Sequence, residues 1–258
     1  MVRFVNTTGP IEAEWLGRIG YREAWARQKV LLERRAAGEI DDRILLLEHD
    51  PVLTLGRQAD ERHVLATPRE LRRRGIEVIR VERGGEVTYH GPGQLVAYPI
   101  IRLADRGILV RPLVAALEAA MIETCARLGV TAMRREGHPG CWVEGDSDRG
   151  RPHRKIGALG LRIERGVSYH GIALNIDSDL RDFDLIDPCG MPGLVSTSIA
   201  EELGRSAEPP LTSEVQRAGM VFAEAFGKAL GAPISWIVAR ETARAFDALR
   251  SPPSLVEA

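Results

Sequence analysis

Three short segments carry the residue types that could do chemistry. In Asp187-Pro188-Cys189-Gly190-Met191-Pro192-Gly193 a cysteine is framed by prolines and glycines on both sides. A thiol in such a loop is accessible and rigidly aimed, which suits a nucleophile better than a core residue. In Lys155-Ile156-Gly157-Ala158-Leu159-Gly160 a lysine opens a small, apolar stretch. An amine beside an apolar pocket loses its proton more readily and can act as a base. The alternative is a strand-end lysine reaching into water. In Arg83-Gly84-Gly85-Glu86-Val87-Thr88-Tyr89-His90-Gly91-Pro92-Gly93-Gln94, four glycines and a proline allow close approach of backbone to a ligand. Exposed amides in such a loop can polarise a carbonyl or cradle an anion. The spacing is neither a dinucleotide fingerprint nor a P-loop. His90 there is open to three roles: base, ligand or structural histidine.

The other two cysteines read differently. Cys125 falls on the apolar stripe of a predicted helix and belongs to a core. Cys141 lies beside Trp142 in an otherwise polar stretch. Three cysteines without a CxxC spacing argue against a disulfide framework and a structural zinc site.

Elements must position these segments. The residue pattern predicts a helix over 21–36, with Ala24, Trp25, Val30, Leu31 and Leu32 available for its buried side. It predicts strands over 43–48 and 52–55, joined by the turn His49-Asp50-Pro51 and pairing with each other. Thr67-Pro68-Arg69-Glu70 has capping-box spacing and starts a short helix that Gly75 ends. Further strands are predicted over 76–82, 94–101, 156–164 and 169–176, the last two joined by Arg165-Gly166. Helices are predicted over 112–128, closed by Gly129, and from Ser213 to about Leu230. The 137–154 stretch reads as a loop, or as two loops flanking a strand at Cys141 and Trp142. Several strands are linked by turns too short for a helical crossover, so a mixed sheet covered by helices is expected. One domain over 1–249 and a flexible tail over 250–258 are expected.

Composition narrows the partners. At 258 residues the chain can bury a substantial core. Its net charge of −1 does not indicate a general electrostatic hold on nucleic acid or membrane. Arg69, Arg72, Arg73, Arg74, Arg80 and Arg83 form a basic neighbourhood, either a solvated helix face or a landing patch for an acidic protein. Acidic Glu12 and Glu14 interrupt any leader pattern, and no apolar run approaches a bilayer span. The expected compartment is cytoplasmic.

Together the three segments, with Tyr169-His170-Gly171-Ile172-Ala173-Leu174-Asn175, resemble the lipoyl(octanoyl) transferase family of lipoate biosynthesis. Order and separation agree over roughly residues 20–230. The resemblance implies an α/β (α+β) fold, a mixed β-sheet flanked by helices, like that of biotin and lipoate protein ligases. It implies octanoyl transfer from octanoyl-acyl carrier protein to a lysine of lipoyl domains, through a Cys189 thioester with Lys155 as general acid and base. The acceptors it implies are lipoyl domains of 2-oxoacid dehydrogenase complexes and the glycine cleavage H protein. No cofactor and no metal are expected, and a monomer is the expected state. By resemblance Arg83, Gly84, Gly85, Glu86, Val87, Thr88, Tyr89 and His90 line the acyl site. So do Ala158, Leu159, Gly160, Gly171, Ile172 and Ala173. His90 and His170 are expected to shape the pocket, because the lysine already supplies a base. Two departures are visible: the 137–154 loop is longer than the family usually has, and Gly157 stands where a larger residue is common. The rival readings are an ATP-dependent lipoate or biotin ligase, a non-catalytic acyl-carrier-binding module, and, more remotely, a metallohydrolase using His90, His170 and Cys189.

Overall fold

The computed structural model describes residues 9–146, 148, 150–205 and 212–237, with residue 189 described through its backbone. The expected tail over 250–258 lies outside the described residues. The described chain opens with a strand that the residue pattern does not announce. This β1, Ile11–Ile19, buries Ile11 and Ala13 and then loosens around the left-handed Gly17. Helix α1, Tyr21–Ala36, has the predicted bounds but a different buried stripe. Tyr21, Ala24, Gln28, Leu31, Leu32 and Arg35 recur at helical spacing, which leaves Val30 on the far side, 59% exposed.

Strand β2, Arg43–His49, is buried on both faces from Ile44 onward, as its continuous apolar run requires. Strand β3, Val52–Leu55, does not pair with it. The Asp50-Pro51 turn instead carries the chain into a second sheet. There β3 is joined in parallel by β4, Glu77–Arg80, and in antiparallel by β5, Val87–His90. Between β3 and β4 runs α2, Pro68–Arg74, whose N-cap Thr67 hydroxyl accepts from the Glu70 amide at 3.2 Å. Gly75 ends it at φ 68°, a left-handed cap. The basic neighbourhood is split by this arrangement. Arg74 pairs with Glu70 and Asp182, Arg80 pairs with Glu61, and Arg83 is buried, leaving Arg69, Arg72 and Arg73 exposed.

The larger sheet continues with β6, Gln94–Ile100. Helix α3, Val110–Arg127, begins two residues before Pro112, which fits in the first turn because no amide partner is needed there. Strands β7, Met133–Arg135, and β8, His138–Val143, place a strand inside the expected loop at Cys141 and Trp142. Strands β9, Arg154–Glu164, and β10, Val167–Asn175, form a hairpin through Arg165 and Gly166. Both turn residues have positive φ, 51° and 77°, matching the twist of the strands they connect. The described chain closes with β11, Val195–Ser196, α4, Ile199–Glu202, α5, Thr212–Leu230, and β12, Ile234–Trp236.

The larger sheet runs β12-β1-β2-β6-β10-β9-β8-β7, with β11 beside the start of β9. The three strands from β12 to β2 are parallel, and the remaining neighbours along that order are antiparallel, giving the expected mixed sheet. Helices α3 and α5 cover one face over a core that includes Leu117, Met121, Phe222 and Phe226. Helix α1 covers the other over Leu31, Leu32, Leu45 and Tyr98. Contacts of Tyr21 and Trp25 with Val52, Ile79 and Val81 join α1 to the small sheet. The small sheet and α1 therefore share one face of the large sheet, and the space between them holds the candidate site.

Candidate functional site

Strands β9 and β10 pair so that Gly160 faces Gly171 and Ala158 faces Ala173. Small residues on both strands leave a trough, which the small sheet roofs with β5. The chain leading into β5 docks on the edge of β9, where the Gly84 amide donates to the Leu161 carbonyl at 3.0 Å. Successive-but-one residues of a strand point their amides the same way, so the Leu159 amide also faces this edge. The Gly160 amide faces β10.

The enclosed space is about 480 Å³, counted out to its open mouth. Arg83, Gly85, Glu86, Val87, Thr88 and His90 line it from the small sheet. Ala158, Leu159, Gly160, Gly171, Ile172 and Ala173 line it from β9 and β10. Gly84 and Tyr89 are outside the lining. Gly84 is engaged in the edge contact, and Tyr89 alternates to the opposite side of β5, edge-on to Phe183 with ring centroids 5.6 Å apart. Arg83 is a prop more than a surface charge: its Nε donates to Thr54 Oγ1 at 3.0 Å and its Nη1 to the Gly84 carbonyl at 3.0 Å.

Gly171 has no space for a side chain. A Cβ there would stand 2.0 Å from the Ala97 carbonyl oxygen and 2.7 Å from Pro99 Cδ. Gly171→Ala is expected to destabilise the fold by about 3 kcal/mol or more, lowering Tm by roughly 10 °C. Thermal denaturation checks this, and an unchanged Tm would refute the close approach.

A second hollow of about 310 Å³, again counted out to its open mouth, shares Thr88, Ala158 and Ala173 with the first. Lys155, Asn175, Pro188 and Leu194 are among its walls. Lys155 is gripped through its backbone, paired with Trp142 of β8 and Ser196 of β11, and its carbonyl accepts from the Thr197 amide at 3.0 Å. Its amine lies 5.2 Å from the Trp142 ring centroid, a cation–π contact. Residues Pro188–Gly190 form a single 3-10 turn, closed by the left-handed Gly190 at φ 63°. The turn is tied down by the Asp187 amide, which donates to the His63 carbonyl at 2.8 Å. Lys155 and Pro188, the neighbour of Cys189, thus border one cavity that abuts the apolar trough. Gly157 lies between core and cavity: a Cβ would come within 2.7 Å of Met121 Sδ and 3.1 Å of Cys141 Cβ.

Cys125 and Cys141 are both fully buried. The hydrogen bond between their thiols, and then burial, holds the Cys141 pKa well above the ordinary thiol range. Neither thiol is available as a nucleophile.

The pattern of residue types did not reveal the polar network behind the trough. His90 Nδ1 lies 2.7 Å from Gln94 Oε1, and Gln94 Nε2 donates to Asn175 Oδ1 at 2.9 Å. Asn175 Nδ2 continues to the Thr197 carbonyl at 2.9 Å, beside the strand that pairs with Lys155. Because the Gln94 oxygen faces His90, Nδ1 of that ring is the protonated one. Tyr21 and Tyr98 also line the trough, and Tyr98 Oη is 2.7 Å from His49 Nε2. No local spacing joins these residues; Gln94 and Asn175 do stand at the ends of the two singled-out motifs.

Three buried histidines surround this network, and all are neutral. Burial lowers His49 to about 4, against the hydrogen bond to the Ile19 carbonyl. Burial, then the charge of Arg83, lowers His170 to about 3. Burial and the neighbouring His49 push His90 well below 6.5. Depressed histidine values stabilise the fold fully above the unfolded value of about 6.5 and fail as pH falls toward the folded values. As pH falls below about 6.5 the unfolded chain takes up protons that the folded histidines refuse, which removes up to about 1.4 kcal/mol per pH unit for each. Urea denaturation at pH 7 and pH 5 is expected to show this loss, and equal midpoints would refute it.

Among the described residues no group of three or more His, Cys, Asp or Glu side chains is placed to hold a metal ion. No described helix is long and apolar enough to cross a membrane.

Residues 20–220 match the lipoyl protein ligase A/B catalytic domain. The chain is 46% identical to an octanoyltransferase of Chloroflexus aggregans over 203 residues, 78% of this chain and 88% of that one. It is 48% identical to an octanoyltransferase of Mycolicibacterium gilvum over 201 residues, 77% and 79% of the two chains. In fold it is similar to a bipartite lipoate protein ligase of Thermoplasma acidophilum, with TM-score 0.59, 14% identity and 93% and 92% of the chains covered. It is also similar to LipL1 of P. falciparum in complex with lipoate, with TM-score 0.62, 10% identity and 88% and 66% covered. The ligase-like sheet with its flanking helices is the fold that the resemblance implied. Identity at this level over three quarters of the chain places it in the octanoyltransferase family, among the acyltransferases.

Proposed function

We propose that the chain moves an octanoyl group from octanoyl-acyl carrier protein to a lysine of lipoyl domains, through a thioester on Cys189. The acceptors are lipoyl domains of 2-oxoacid dehydrogenase complexes and the glycine cleavage H protein. The observation that carries this reading is the shared cavity: Lys155 and the Cys189 turn border it, and it abuts the apolar trough.

In the first half-reaction Lys155 takes the thiol proton of Cys189, and the thiolate attacks the thioester carbonyl of the donor. The carrier thiol leaves with the proton that Lys155 returns. In the second half-reaction a neutral acceptor lysine attacks the Cys189 thioester, Lys155 takes its proton, and the thiol is restored. Thioester exchange is nearly balanced and amide formation is downhill, so no nucleotide is required. Burying seven methylene-scale groups in the trough contributes about 5 kcal/mol, enough to select a medium chain over a short one.

His90 belongs to the Gln94–Asn175 network and positions the wall, leaving the proton to Lys155. A lipoate-ligase-like fold is also compatible with an ATP-dependent ligase, and the framed cysteine turn favours transfer. The test is incubation with octanoyl-carrier protein, then with a lipoyl domain, both without ATP. An octanoyl mass increment on the enzyme, followed by its appearance on the domain, is expected. A requirement for ATP would overturn the reading in favour of a ligase.

A further inference from the structure

The end of the trough remote from Lys155 is polar. Along β10 the walls pass from Asn175 and Ala173 to Gly171 and His170. His170 is 1% exposed, yet neither ring nitrogen has a hydrogen-bond partner. The Glu82 carboxylate stands 3.9 Å from Nε2, beyond hydrogen-bonding distance.

The backbone explains how the ring gets there. By strand alternation His170 would share a face with Ile172 and Leu174, which pack in the core under α3 and α5. Its φ of 53° lies in the left-handed region, uncommon for a residue other than glycine. The ring is turned instead toward the tyrosines of the opposite face, with centroids 4.7 Å from Tyr169 and 6.3 Å from Tyr98. Such strain persists where neighbours impose it. Here Gln28 Oε1 accepts from the His170 amide at 2.8 Å and fixes the conformation.

The span fits a medium chain. Four residues from Asn175 to Gly171 cover about 13 Å at strand rise. An extended eight-carbon acyl group covers about 9 Å from carbonyl to methyl carbon. A carbonyl held between Asn175 and Ala173 therefore sends its methyl end to Gly171 and His170.

We propose that His170 is a specificity-determining residue that sets the upper limit of acyl-chain length. A chain longer than eight carbons must drive its terminal carbons into the imidazole ring, whose backbone is held in place by Gln28, and that overlap outweighs the gain from another buried methylene. The inference rests on the octanoyl-transfer reading above and adds the element that measures the chain.

The test compares kcat/KM for dodecanoyl- and octanoyl-carrier protein in the wild type and in His170→Gly, a residue suited to the left-handed backbone. The dodecanoyl-to-octanoyl ratio is expected to rise about tenfold, the scale of burying about two further methylenes once the ring is gone. The thermal upshift given by free dodecanoic acid relative to octanoic acid is expected to rise in parallel, a readout independent of turnover. Should His170→Gly fail to fold, His170→Asn, which also tolerates left-handed backbone, carries the same comparison with the same direction. Wild-type octanoyl transfer with an unchanged ratio in a folded variant overturns the limit-setting role alone. Absence of octanoyl transfer by the wild type overturns the transferase reading and this one with it.

Discussion

Cys189→Ala is expected to reduce octanoyl transfer by at least about 10³-fold and to remove all covalent acyl loading. The reasoning is one of elimination as much as of position. Cys125 and Cys141 are buried against each other, with Cys141 held protonated, so neither can form an accessible thioester. The 188–190 turn borders the cavity that contains Lys155, and its backbone is tied to the His63 carbonyl through the Asp187 amide. Mass spectrometry after incubation with octanoyl-carrier protein gives the direct measurement. Loading that survives in Cys189→Ala would move the nucleophile elsewhere. A Cys189→Ser protein that accumulated an acyl-enzyme of normal reactivity would sink the thioester intermediate specifically.

Lys155→Ala is expected to slow both half-reactions by about 10²- to 10⁴-fold, the usual range for loss of a general base. Charge alone does not explain such a loss, and Lys155→Arg separates the two roles. Arginine keeps the cation but cannot give up its proton, so Lys155→Arg is expected to be as defective as Lys155→Ala. The alkylation rate of Cys189 at neutral pH supplies a readout that a purely structural role would not move; it is expected to fall in Lys155→Ala and to persist in Lys155→Arg, whose cation still favours the thiolate. Full transfer by Lys155→Ala would remove the lysine from the mechanism.

Much of the scaffold is legible because its signals are local. Thr67 and Gly75 bound α2, Arg165-Gly166 turns the β9–β10 hairpin, and the four-residue recurrence from Leu113 to Cys125 marks the buried stripe of α3. What escapes depends on partners distant in the chain. Val87–His90 reads as part of a glycine-rich loop, and it becomes a strand only because β3, more than thirty residues earlier, pairs with it. Val52–Leu55 is visible as a strand, but nothing near it says that its sheet differs from that of β2. Val30 reads as buried yet faces solvent, and the buried stripe of α1 runs through Gln28, a polar residue whose side chain holds the His170 amide.

The site divides in the same way. The framing of Cys189 by prolines and glycines is a property of seven consecutive residues. Lys155 is singled out by residue type only weakly, and the pair is joined by family resemblance and by a cavity, never by spacing. The His90–Gln94–Asn175 network bridges 81 positions between its amides and has no short-range trace. His170 stands in a motif that resemblance selects, but its left-handed backbone and unpaired nitrogens are visible only in three dimensions.

The two glycines that face each other across β9 and β10 bear on how such an enzyme can change. A methyl at Gly160 would meet the Gly84 carbonyl at 2.8 Å, and one at Gly171 would meet the Ala97 carbonyl at 2.0 Å. Both obstacles are main chain, so no rotamer change relieves them. At these two positions descendants of this sequence cannot raise the floor of the trough one carbon at a time, and they cannot lower it, because glycine has nothing left to remove. Adaptation to a different fatty acid is therefore left to the end, the sides and the paired alanines, and divergence in chain preference should be recorded there while the two glycines stay silent.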